Sequence, residues 1–93
     1  MITLQQAFAR AFAHEAAGRW REALAIYEQV LAAVPEHPGA LLRIAVRHAA
    51  EGRVEAARGL LERALHAAEA GSLPTADIWL ALGHVHVARA DRA

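Results

Sequence analysis

The chain carries the same six-residue frame twice, His14-Glu15-Ala16-Ala17-Gly18-Arg19 and His48-Ala49-Ala50-Glu51-Gly52-Arg53, with matching positions 34 residues apart. A period of this length marks a helix–turn–helix unit, which cannot bury its own apolar face and must stack on a neighbour. With 93 residues in all, one small stacked domain fits and a second core does not.

Apolar spacing places the helices. Leu4, Ala7, Phe8, Ala11 and Phe12 fall on one stripe at three- and four-residue intervals. Thr3 with Gln6 forms a capping-box pattern at the start, and Gly18 suits the left-handed backbone of a helix end. A second helix carries Trp20, Ala23, Leu24, Tyr27, Val30, Leu31 and Val34 and stops at Pro35. The third begins near Pro38 or Gly39, carries Leu41, Leu42, Ile44, Ala45 and His48, and ends at Gly52. The fourth carries Val54, Ala57, Leu60, Leu61, Ala64, Leu65 and Ala68. The stretch from Gly71 to Thr75 breaks it, with Thr75 as a cap for the fifth helix. That helix runs from Asp77 to about Ala90 and holds Ile78, Trp79, Leu82, Gly83, Val85 and His86. No segment alternates with period two, so the expected class is all-α, five antiparallel helices in one domain over 1–93. Its units are repeat one at 4–37, repeat two at 38–71 and a half repeat at 76–93.

Ten basic residues balance ten acidic ones, which leaves no electrostatic footprint for nucleic acid or an anionic membrane. All ten basic residues are arginine, lysine and asparagine are absent, and alanine is the commonest residue. That bias is associated with a GC-rich bacterial genome. Without cysteine there is no disulfide, thiolate nucleophile or cysteine-based zinc site, in keeping with a cytoplasmic setting. No amino-terminal signal pattern occurs, and no run approaches the ~18 apolar residues of a membrane span.

Six histidines raise the question of a metal. His84 and His86 are the tightest pair, yet residues two apart on a helix point about 200° apart and cannot share an ion. His14, His48 and His86 occupy equivalent repeat positions, which suits a semi-polar ring at a helix contact. Ser72, the only serine, has no nucleophile elbow around it, and the glycines are isolated rather than gathered in a phosphate loop. No catalytic residue, metal or cofactor is therefore expected.

The units resemble the tetratricopeptide repeat family. Helix five reads Trp79-x2-Leu82-Gly83-x2-His86. The first unit reads Ala7-x2-Arg10-Ala11-x2-His14, then Ala23-x3-Tyr27, then Pro35. The second reads Leu41-x2-Ile44-Ala45-x2-His48, then Ala57-x3-Leu61, with Glu69 in place of the proline. Small residues at Ala11, Ala45, Gly83, Ala23 and Ala57 let helices approach closely. Arg10 departs from the pattern as a polar residue at a core position, and Ala7 is small where a large side chain would pack. The third unit follows the second by 38 residues, which puts a four-residue insertion at Ala70 to Leu73. The resemblance implies an α-solenoid of about two and a half repeats that acts as a protein-binding scaffold and is not itself an enzyme. It also implies an alternative, a substrate-docking segment preceding a larger bacterial enzyme of hydroxylase, glycosyltransferase or sulfotransferase type.

Within that family the first helices line a concave groove, and in register here stand Phe8, Leu42 and Leu80, then Phe12, Val46 and His84, then Glu15, Ala49 and Val87. Most are apolar, which disfavours a carboxylate clamp; they suit an apolar groove for a partner peptide or protein, or else Phe8 and Phe12 belong to the core or are covered by another copy of the chain. The second expected surface is on helix five, where Ile78, Trp79, Leu82, Val85 and His86 would meet a further helix but the chain stops at Ala93. A bare tryptophan and leucine forfeit burial of about 200 Å², or ~5 kcal/mol. The expectation is a homodimer covering this face, or a longer protein whose next helix covers it.

Overall fold

A computed structural model describes residues 3–92, with side chains through residue 87. Five helices follow one another: α1 (Leu4–Ala16), α2 (Trp20–Ala33), α3 (Pro38–Ala50), α4 (Val54–Ala70) and α5 (Ala76–Arg92). No strand forms among the described residues. The described part measures 47 × 31 × 19 Å. At about 10 Å per helix, the short dimension holds two layers, α1, α3 and α5 in one and α2 and α4 in the other.

The helix ends follow from local chemistry. Thr3 and Gln6 close a reciprocal capping box at α1, satisfying two amide donors that a helix start leaves unpaired. At α3 the imidazole of His37 is the cap, its Nδ1 accepting from the Ala40 amide at 3.1 Å. Gly18 and Gly52 have φ of +81° and +84°. At each, the following arginine amide returns to the carbonyl of the histidine five residues earlier, Arg19 to His14 and Arg53 to His48, both at 2.8 Å, the double closure that a left-handed residue permits. The end of α4 closes differently from those of α1 and α3. The left-handed residue is Ser72, φ +55°, and Gly71 remains in an ordinary conformation, because Leu73 rather than Ser72 donates back to Ala68.

The four extra residues before α5 mainly lengthen a helix rather than a loop. α4 has 17 residues against 14 in α2, so three extend the helix and one the connection.

Two apolar clusters share α3. Ala11, Ala23, Tyr27, Val30, Ala40 and Ile44 join α1 and α2 to one side of α3. Leu41 and Ala45 on the other side join α4 and α5 through Leu61, Ala64, Ile78, Leu82 and Val85. Ala11, Ala23, Ala45 and Ala57 are fully buried, as close backbone approach requires. Gly83 is the exception: it is exposed, and an added Cβ would meet nothing within 4 Å. Arg10 also lies outside the core, with its side chain in solvent.

Candidate protein-docking surface

The layer of α1, α3 and α5 carries the nine residues expected to line a groove, and the structure divides them. On the α1 side, Phe8 is half-buried, its ring 5.6 Å from Tyr27 and 5.4 Å from His37. Gly39 makes this possible, since a Cβ there would come within 3.0 Å of the Phe8 ring. Glu15 accepts from Arg43 through both carboxylate oxygens, at 3.1 and 2.6 Å, and from the Tyr27 hydroxyl at 2.8 Å. Arg43 also lies over the Phe12 ring, 5.3 Å from its centroid. Phe8 and Glu15 are thus engaged within the chain, while Phe12 keeps its contact with Arg43 and remains 48% exposed.

The electrostatics of this cluster follow from its geometry. Burial raises the Glu15 carboxyl, but the hydrogen bonds from Arg43 and Tyr27 outweigh it and hold the group below the ordinary carboxylate value. Burial and the carboxylate acceptor push the Tyr27 hydroxyl well up. The Glu15 hydrogen bond raises Arg43 further. His37 moves the other way, since burial disfavours its charged form.

On the α5 side the same layer is open. Leu42, Val46, Leu80 and His84 surround a cleft of about 340 Å³ together with Arg43 and Asp77. A second cleft of about 350 Å³, reaching from His37 to Leu73, shares Leu42 and Asp77 with it. A third, of about 270 Å³, shares Val46, Ala81 and His84 with the first and is also lined by Ala49 and Leu61. Leu80 is 61% exposed and Val87 62%.

The third cleft has a simple origin in the repeat register. Advancing Glu15 and Tyr27 by one period leads to Ala49 and Leu61, and advancing Arg43 by the longer second period leads to Ala81. The three side chains that tie α1, α2 and α3 together are replaced by two alanines and a leucine, and all three of these line the cleft.

The face expected to meet a second copy is also divided. Ile78, Leu82 and Val85 are buried against α3 and α4 in the chain's own core, because the short connection after α4 turns that stripe of α5 inward. Trp79 is 55% exposed and His86 lies in solvent.

Several roles were not read from the sequence. The Nε–H of Arg19 donates to Nδ1 of His14, and that of Arg53 to Nδ1 of His48, both at 2.9 Å. The repeated histidine is thus a half-buried acceptor that clasps the arginine across the glycine turn, rather than a ring replacing tyrosine inside a helix contact. Arg43 was missed as a partner of Glu15. Tyr27 signalled an acceptor such as Glu15, since a buried tyrosine hydroxyl requires one, but nothing pointed to the arginine. Arg47, over the Trp20 ring at 5.3 Å, had no comparable signal. Among the described residues, no three histidine, aspartate or glutamate side chains gather around one point, and no helix is long and apolar enough to cross a membrane.

A family model described as tetratricopeptide repeat matches residues 14–73. The chain belongs to the tetratricopeptide repeat family. The match runs from the end of α1 to the connection before α5, so it contains both glycine turns and the whole α2–α3–α4 stack. Repeats of this family generally mediate protein–protein interaction. Neither the comparison with curated proteins nor that with solved structures yields a match.

Proposed function

We propose that this chain is a non-catalytic docking module that holds a segment of a partner protein along the open side of α3 and α5. The observation that carries this reading is the cleft lined by Ala49, Leu61 and Ala81, continuous in the layer with clefts lined by Leu42, Val46 and Leu80. Apolar surface of this kind gains by being covered. The histidines support a structural rather than a chemical role, since His14, His48 and His37 spend Nδ1 on an arginine or a helix amide. Selection of displayed random twelve-residue peptides tests the reading. Peptides retained by the wild-type chain and lost on Leu80→Asp are expected; equal retention by both, or no enrichment, overturns it.

Association of two copies through α5 is a second reading, favoured by the exposure of Trp79, Leu80 and Val87. With Ile78, Leu82 and Val85 used internally, such an interface rests on these three and His86, around the bare backbone at Gly83. Sedimentation of a concentrated wild-type sample as a monomer overturns it.

A further inference from the structure

The geometry points to a partner segment that places a basic side chain on Asp77 and an apolar side chain in the Ala49–Ala81 cleft, about one helical turn apart. This inference rests on the docking function proposed for α3 and α5 and specifies the chemistry of what docks.

The polar groups of the open side determine the sign of the complementary charge. Arg43 borders the 340 Å³ cleft, but its Nε and one terminal nitrogen are committed to both oxygens of Glu15. That ion pair leaves little net charge there. Asp77 borders both this cleft and the neighbouring one, and among the described residues it takes part in no hydrogen bond or ion pair. It stands in the first turn of α5. The open side therefore offers one carboxylate without an ion-pair partner, set among leucines and alanines, with the imidazoles of His84 and His37 as the other polar groups lining the clefts. A carboxylate-bearing ligand would meet Asp77 with like charge, whereas an arginine or lysine would pair with it and lay its aliphatic stem along Leu42 and Leu80.

The spacing of the two contacts follows from α5. Asp77 and Ala81 are four residues apart on one helix, so their Cβ atoms lie about 6 Å apart. An extended segment rises about 3.3 Å per residue with alternate side chains on one face, so it meets both points with a basic and an apolar residue two positions apart. A helical segment does so at three or four positions.

Selection from the same displayed peptides provides the test. The wild-type pool is expected to be enriched in arginine or lysine two to four positions from leucine, isoleucine or valine. For a selected peptide, Asp77→Asn should weaken binding about two- to five-fold, as for a partly exposed ion pair, and Asp77→Arg by about ten-fold or more through like-charge repulsion. Replacing the peptide's basic residue by glutamine should cost the wild type the same two- to five-fold and cost Asp77→Asn nothing, which isolates the pair. Peptides that depend on Leu80 but show neither basic enrichment nor sensitivity to Asp77 overturn this inference and leave the docking function standing. Peptides insensitive to Leu80→Asp overturn the docking function itself.

Discussion

Glu15 of α1 takes hydrogen bonds from Arg43 of α3 and Tyr27 of α2, which tie the three helices together. Between α3 and α5 the corresponding positions are Ala49, Ala81 and Leu61, and a 270 Å³ cleft lies among them. Both sides are built on helix–turn–helix units, with α4 three residues longer than α2, and at these three positions they differ in side-chain length. Long polar side chains tie one set of helices and short ones leave a cleft beside the next, so that on the docking function proposed above one unit supplies stability and the next recognition.

The largest effect should follow from removing the centre of the closed side. Tyr27 is fully buried, and Tyr27→Ala should cost about 3–5 kcal/mol in urea unfolding; a loss below about 1 kcal/mol would mean that the α1 side contributes little rigidity. Glu15→Ala comes next, at about 1–3 kcal/mol, because it strands a half-buried guanidinium and a buried hydroxyl without their acceptor. Loss of the carboxylate by protonation should act in the same direction. The folded-state values of Glu15 and His37 both lie below their ordinary ones, 4.5 and 6.5. The contribution of each is thus full above its ordinary value and disappears as pH falls through the folded-state value. Unfolding measured against pH should show stability declining first below 6.5 and again below 4.5, with the second decline absent in Glu15→Ala.

Smaller changes address the open side. Gly83 lies in the interior of α5 with space around it, so Gly83→Ala should stabilise the chain by about 1 kcal/mol through helix propensity alone. A destabilised variant would indicate that another backbone packs there. The pair Ala49→Glu with Ala81→Arg transfers the first tie to the second side. Thermal unfolding should change by no more than about 1 kcal/mol, as for a partly exposed ion pair, while peptides selected on the wild type should no longer be retained. Undiminished retention would show that the cleft is not where they bind.

The helices themselves were legible in the sequence, since the 34-residue period, the glycine stops and the apolar stripes are properties of the backbone and of helical geometry. Ser72 was not, because glycine next to it is the better left-handed residue, and the choice depends on which amide returns to Ala68. Of the groove residues, Leu42, Val46, Leu80 and His84 do come together, while Phe8 and Glu15 are drawn into contacts with α2 and α3. Register places a residue on a face but does not say which long side chain will reach across it. Likewise the stripe of Ile78, Leu82 and Val85 reads as an apolar face, and only the angle of α5 against α3 and α4 shows that the chain itself covers it.

The clasp between histidine and arginine at Gly18 and Gly52 bears on how such a chain comes to fold. Each contact closes over five residues, so the loop-closure entropy is small and nothing distant has to arrive first. Each turn can therefore assume its native shape while the rest of the chain is still searching, and the two hairpins have separate starting points of the same kind. Contacts of such short range are associated with fast folding. They also leave the order of assembly open, since either end of the stack can form first and the other add to it.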